Sequence, residues 1–411
     1  MWLLIFGVTF AALIAGIIYM IFAIGRFPFI KKVTKDRKVF KILLSFGIIA
    51  IFMAIGTILS SFLNATIIFL QLLLFFLFYT FIGWIIKKCF KKEYSFYWQG
   101  WFSIITCVIY FIVAYFLCKN VWLTEYSFVT TKNVGSIRIA LIADSHVGTT
   151  FDGDGFAEKL EQIEAQNPDA LLIAGDFVDD GTSREDMVRA CQALGKFEAK
   201  YGVWYCFGNH DRGYYRDPED GFTGEDLVAE LEKNNVHVMV DDYKLIDDRF
   251  YIVGREDASA NRAWRSENVQ TSDSEKTVSD ASNSEKTAPE QTSKDSGSGS
   301  VLPEKVGRMS AQDLIGELDS DKYIIVMDHQ PNDYENESQT AADLVLSGHT
   351  HGGQLLPINR IGELFGVNDR TYGYENINGT DFIVTSGISD WEVIFKTGTK
   401  SEYVIINIIG K

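Results

Sequence analysis

Apolar positions arrive in two different rhythms. Up to Leu117 they form long unbroken blocks: Trp2 to Ile24, Ile42 to Ile86 and Trp98 to Leu117 contain no charged residue. About 20 apolar residues of helix cross the hydrocarbon of a bilayer. The first and last blocks therefore predict one span each, and the middle block predicts two. The polar cluster Ser60, Ser61 and Asn64 marks the turn between them. A cleaved signal peptide would place positive charge before its apolar core, whereas the first basic residue, Arg26, follows the first block. From Ser136 onward the blocks shorten. Strands are predicted at Ile137 to Ala143, Ala170 to Ala174, Val203 to Phe207, Val236 to Val240, Phe250 to Gly254, Tyr323 to Met327, Asp343 to Leu346, Asp381 to Thr385 and Tyr403 to Ile409. Amphipathic helices are predicted at Phe156 to Gln166, Ser183 to Lys200 and Glu225 to Asn234. That alternation argues for α/β layers.

Charge separates the same two parts. Residues up to Trp122 carry 12 Lys and Arg against 2 Asp and Glu, and the remainder carries 26 against 52. An acidic part of that size repels nucleic-acid phosphate, so nucleic acid is not an expected partner. The loop after the first block holds Arg26, Lys31, Lys32, Lys35, Arg37, Lys38 and Lys41, and Lys87, Lys88, Lys91 and Lys92 follow the third predicted span. Short basic loops stay in the cytoplasm, which puts the chain beyond Leu117 on the opposite face. The spans contain no ionisable residue of the kind that marks a transport pathway, so they read as an anchor in the lipid bilayer. The expected organisation is a four-span anchor over 1–122, a juxtamembrane connector over 123–135 and an α/β domain over 136–411. Within that domain, Ser266 to Ser300 is rich in Ser and Thr, repeats Ser-Glu-Lys-Thr and has no aromatic residue. It reads as a disordered insertion. Five cysteines, three in or beside the apolar blocks, exclude a disulfide framework.

Candidate chemistry sits where the predicted strands end. The clusters are Asp144-Ser-His146, Gly175-Asp176-Phe-Val-Asp179, Gly208-Asn209-His210-Asp211, Asp328-His329-Gln-Pro331 and Gly348-His349-Thr-His351. Polar residues at the carboxyl ends of strands face the crevice where open α/β sheets bind ligands. One such cluster is commonly just a turn with a capping carboxylate; five in succession are not explained that way. Carboxylates, an amide and imidazoles without thiolate suit divalent Mn, Fe or Zn. Two cations need a shared anionic ligand, and Asp176 is the expected bridge.

These five motifs resemble the calcineurin-like metallophosphoesterases over residues 136–411, outside the insertion. The resemblance implies a four-layer α/β/β/α sandwich with two mixed sheets. It implies that Asp144, His146, Asp176 and His351 bind one metal and that Asp176, Asn209, His329 and His349 bind the other. It implies attack on phosphorus by a hydroxide held between the metals. His210 would face the substrate as acid, oriented by Asp179 and held toward its charged form. The runs Ser347 to Gln354 and Asp328 to Pro331 are similar to the branch attached to bacterial envelopes, whose relatives include hydrolases of lipid-linked phosphodiesters and pyrophosphates.

Two departures from that pattern matter. Protein phosphatases of the family carry an arginine where this chain has Asp180, which disfavours phosphoprotein substrates. An Arg-Phe pair near the C-terminus is replaced by Ile394-Phe395-Lys396, leaving Arg212 and Arg255 as candidate phosphate-gripping cations. The expected function is a membrane-anchored dinuclear-metal phosphoesterase acting on a phosphorylated lipid or small molecule at the extracytoplasmic face. Its alternatives are a tethered nucleotide or cyclic-nucleotide hydrolase and a non-catalytic phosphate sensor. His237 matches no motif and reads as a packed or surface histidine.

Overall fold

The computed structural model describes residues 2–91, 96–212, 221–259 and 308–411, with side chains from residue 13. The Ser-rich stretch 266–300 lies outside the described residues. Two compact units are present. One comprises Met1–Val121 with Gln354–Pro357 and Asp390–Ser401; the other comprises Trp122–Gly353, Ile358–Ser389 and Glu402–Lys411.

The first unit is built on helices α1 (Trp2–Ile24), α2 (Pro28–Val33), α3 (Lys38–Leu59), α4 (Phe62–Phe90) and α5 (Trp98–Lys119). Among the described residues, α3, α4 and α5 are long and apolar enough to cross a membrane. The fourth expected span falls on α1, whose described apolar portion is the shorter stretch Leu13–Ile24. Ser61 ends the break between α3 and α4 by accepting the N–H of Asn64, an N-cap that starts the next helix. Two segments distant in sequence close the unit. Leu355, Val393 and Phe395 cluster with Phe111 and Ala114 of α5, and Phe111 meets Phe395 edge to face at 4.7 Å. The buried Asn64 amide donates to the carbonyl of Glu392 (3.0 Å) and its oxygen accepts the N–H of Ile394 (3.3 Å). Lys396 and Asp390, both fully buried, pair at 3.2 Å.

The second unit contains two six-stranded sheets. The strands are β1 (Trp122–Val129), β2 (Ser136–Ile142), β3 (Ala170–Ala174), β4 (Val203–Cys206), β5 (Val236–Met239), β6 (Asp242–Ile246), β7 (Phe250–Gly254), β8 (Tyr323–Met327), β9 (Leu344–Ser347), β10 (Gly373–Ile377), β11 (Thr380–Val384) and β12 (Glu402–Ile409). The first sheet runs β1-β12-β2-β3-β4-β5 and the second β10-β11-β9-β8-β7-β6. Both are mixed: β12 is antiparallel to β2 in one, and β10 and β6 are antiparallel edges of the other. The continuous apolar runs of β3, β7, β8 and β9 are buried on both faces, as parallel central strands require. Between the sheets Ile139, Leu172, Ile252, Ile325, Leu346 and Ile406 share one core. Helices α6 (Gly153–Glu164), α7 (Arg184–Leu194) and α8 (Gly224–Lys233) start at the caps Asp152, Ser183 and Thr223, each side chain accepting a backbone N–H of the first turn. The short helices α9 (Ala311–Ile315) and α10 (Tyr334–Glu337) lie on the outer face of the second sheet, packing Leu314, Ile315 and Tyr334 on it.

Two expectations need correction. Residues 123–129 of the expected connector form β1 together with Trp122, in register with the whole of β12, and Tyr126 and Phe128 pack on the inter-sheet core. Helix α7 stops at Leu194 instead of Lys200, because the chain turns at Gly195, Lys196 and Phe197 through tight backbone hydrogen bonds.

Candidate two-metal site

Each functional side chain leaves the end of a strand. Asp144 and His146 follow β2, Asp176 and Asp179 follow β3, Asn209 to Asp211 follow β4, His329 follows β8, and His349 and His351 follow β9. The parallel strands end on one edge, so loops as far apart as Asp144 and His349, 205 residues, converge. Five of these residues, Asp144, His146, Asp176, His349 and His351, adopt positive φ. Non-glycine residues rarely do so, and the strain concentrates where side chains must turn inward. Space is equally tight: a Cβ on Gly208 would collide with Oδ1 of Asp176, and one on Gly175 (φ 80°) would stand 2.6 Å from Nδ1 of His329.

Two donor groups result. Asp144, His146 and His351 form one, and Asp176, His329 and His349 form the other, with the ligand atoms of each group within 4.8 Å of one another. Oδ1 of Asn209 lies 2.9 Å from Nδ1 of His349 and so joins the second group. Asp176 lies between the two: its Oδ2 is 3.1 Å from Nε2 of His329 and 3.7 Å from Nε2 of His146. Both nitrogens are buried; that of His146 makes no hydrogen bond, and that of His329 has only the Asp176 carboxylate facing it. Buried polar atoms are nearly always satisfied, so this pair fits cations better than it fits a dry cluster. The other ring nitrogens are held for that task. Nδ1 of His329 is 2.8 Å from the Ala174 carbonyl and Nδ1 of His146 is 3.0 Å from Asp179, the outer partners that orient metal-binding imidazoles.

Electrostatics follow from burial and crowding. Burial raises Asp176, yet His329, His146 and His210 outweigh it and hold the carboxylate far below its usual range. Burial lowers His329, but Asp176 overrides it and the ring is raised well above its ordinary value. His349 is pushed down to about 4 by burial and by His329. These proton positions belong to the cluster without cations; metal binding displaces protons from its ligands. Asp211 supplies the frame. One of its oxygens accepts the N–H groups of Asp176 and Gly208 and the other those of Phe177 and Val178, at 2.7 to 3.0 Å. From sequence, Asp211 could support His210 or cap the following turn; its four partners lie on two loops that meet only in the fold.

Other assignments change. Asp179, expected beside His210, pairs with His146, and the N–H of Gly181 also binds it. His210 is half-buried; its backbone N–H donates to Oδ1 of Asp176 (2.9 Å) and its ring is 5.2 Å from that of His146. Burial lowers its pKa against the pull of Asp176 and Asp179, the reverse of the shift expected from a carboxylate partner alone. Arg255 is not placed to grip phosphate. Its guanidinium is buried and bound to Asp328, Asp333 and Glu337 at 2.8 to 2.9 Å. Arg212 lies over the ring of Phe207 (4.0 Å) and pairs with Glu256. His237 stacks on Trp204 at 4.1 Å.

Comparison with known proteins places this geometry. The sequence profile described as calcineurin-like phosphoesterase matches residues 137–353, more than half of the chain. A metallophosphoesterase of Caenorhabditis elegans is 27% identical over 283 residues, covering 67% of this chain and 49% of that one. One from Campylobacter jejuni is 26% identical over 67% of this chain and 60% of its own. A transmembrane protein with metallophosphoesterase domain from Danio rerio is 25% identical over 68% of this chain and 54% of its own. The matched region thus spans about half of these relatives' length. The family's centre holds two divalent metal ions, and the two donor groups described above correspond to it. The chain belongs to the calcineurin-like phosphoesterase family.

Proposed function

We propose that the protein is a membrane-anchored two-metal phosphoesterase that hydrolyses a phosphodiester or pyrophosphate of a lipid-linked or envelope substrate on the extracytoplasmic side. The observation that carries this reading is the convergence of two donor groups on the single buried carboxylate of Asp176. Asp144, His146 and His351 would hold one divalent ion; Asn209, His329 and His349 would hold the second; Asp176 would be shared. Such ions supply Lewis acidity toward phosphoryl oxygens and a nucleophile from water near neutral pH. His210, half-buried beside the bridge, is the group assigned to protonate the leaving oxygen. Asp179 keeps His146 in the tautomer that offers Nε2 inward. Arg212, two residues beyond His210 and paired with Glu256, is the remaining candidate cation for the substrate's phosphate. The apolar helices support the anchor, and the basic loops around Lys31 and Lys88 support the outward orientation.

The test uses the full chain in detergent or lipid nanodiscs with Mn, Fe or Zn. Hydrolysis of a diester, a monoester, an isoprenyl pyrophosphate and soluble nucleotides is compared. Diester or pyrophosphate turnover should dominate, and His210→Ala should lower kcat by about 10²- to 10⁴-fold, the usual worth of a positioned acid. Asp176→Asn should abolish it. Faster turnover of soluble nucleotides would make the protein a tethered nucleotide hydrolase. Tight metal and phosphate binding without turnover would make it a sensor.

A further inference from the structure

Ile358–Val367, in the phosphoesterase unit, breaks the rule that large apolar side chains turn inward. Ile358, Ile361, Leu364, Phe365 and Val367 are 52 to 80% exposed. The segment includes one helical turn, α11 (Ile361–Leu364), with no buried residue. It is nonetheless an organised piece of backbone. The N–H groups of Gly366 and Val367 donate to the carbonyls of Glu363 and Gly362, and the N–H of Thr371 donates to the Glu363 side chain (3.1 Å). The hydroxyl of Thr350, between His349 and His351, donates in turn to the Thr371 carbonyl (2.6 Å). The apolar turn is thereby tied to the loop that carries two metal ligands.

Concentrated apolar exposure of this kind marks a surface that meets another phase or partner. The chain itself says which. Ile358 follows by one peptide bond the segment Gln354–Pro357, which belongs to the helical unit. There Leu355 clusters with Phe111 and Ala114, and the Leu356 carbonyl accepts from the hydroxyl of Tyr110 (3.0 Å). All three partners lie within α5, a helix apolar and long enough to cross a membrane. At about 3.5 Å per residue, Val367 is held within roughly 35 Å of Pro357. Arg360 pairs with Glu363 at 2.9 Å, so the segment brings apolar side chains and no net charge to that surface.

We infer that Ile358–Val367 is a bilayer-docking element, its apolar side chains lying at the boundary between headgroups and acyl chains. The inference rests on the membrane-anchored reading above. It gives the metal-bearing loop its own hold on the lipid surface, separate from the spans.

The test places single cysteines in the full chain with Cys89→Ser as background, labels them with bimane and reconstitutes the protein in phosphatidylcholine vesicles containing brominated acyl chains. Leu364→Cys and Phe365→Cys test the element. Val108→Cys, on the exposed side of α5, reports the span, and Lys244→Cys, on exposed β6, reports solvent. Brominated lipid should quench more than about half of the fluorescence at Val108, Leu364 and Phe365 and little at Lys244. Quenching at Val108 but not at Leu364 or Phe365 would overturn the docking element while leaving the anchor intact. Absence of quenching at Val108 would overturn the anchor itself, and the docking inference with it. A blue-shifted probe at Leu364 that brominated lipid does not quench would assign the patch to a protein partner and overturn the inference.

Discussion

Asp211 is not among the ligands, yet four backbone N–H groups depend on its two oxygens, and two of the loops that carry the site meet there. Replacing it by alanine leaves those buried donors without their acceptor, and unpaired buried groups cost about 1–3 kcal/mol each before relaxation. Asp211→Ala should therefore lose about 3 kcal/mol or more of stability, read by thermal unfolding in detergent, together with most of its bound metal. Asp179 poses a sharper question because it was expected to serve His210, whose charge it feels, and it also binds His146. Outer-sphere carboxylates of metal-bound histidines are worth about 10- to 100-fold in metal affinity. Asp179→Ala should weaken metal binding by that factor, measured by titration of the apo protein. Unchanged affinity with a reduced kcat would return Asp179 to the service of His210. The candidate donor groups were legible in the sequence, since each polar cluster ended an apolar run. The partners of Asp179, Asp211 and Arg255 were not, because they are chosen by loops that approach only in three dimensions.

At the level of elements, the central strands could be read almost to the residue, because parallel strands buried on both faces leave unbroken Val, Ile and Leu runs. The edges could not. In β1 the inward residues Thr124, Tyr126 and Phe128 alternate with exposed Leu123, Glu125 and Ser127. That period of two was available, but aromatic residues just beyond a span also fit a membrane interface. Strands β6 and β10 are similarly half-exposed and carry charges. The segments Gln354–Pro357 and Asp390–Ser401 gave a weaker signal still, Leu355 and the run Val393 to Phe395 being too short for a pattern. Asn64 ties one of them to the first turn of α4. Asn64→Leu keeps the volume but strands the Glu392 carbonyl and the Ile394 N–H. About 2 kcal/mol of stability should be lost, and thermal unfolding at equal detergent concentration measures it; an unshifted transition would show that the amide link contributes nothing.

The whole molecule combines an apolar helical unit with an acidic domain that carries all the candidate chemistry. Its orientation can be tested with a native side chain. All five cysteines are free, and Cys89 alone is exposed, at the basic end of α4. With Lys87 and Lys88 in the cytoplasm, a membrane-impermeant maleimide should label Cys89 only after cells are permeabilised; labelling in intact cells would reverse the assigned sidedness. The pairing of β1 with β12 also governs any attempt to isolate the enzyme half. β1 begins at Trp122, just after α5, and zips along all eight residues of the C-terminal strand. Trimming the gene to start at Ser136 would amputate that margin, strip Tyr126 and Phe128 from the core and leave the flank of β12 free to recruit strands from other molecules. A soluble version should therefore begin no later than Trp122, and even then Leu355, Val393 and Phe395 would need polar replacements, since their greasy companions on α5 would be gone.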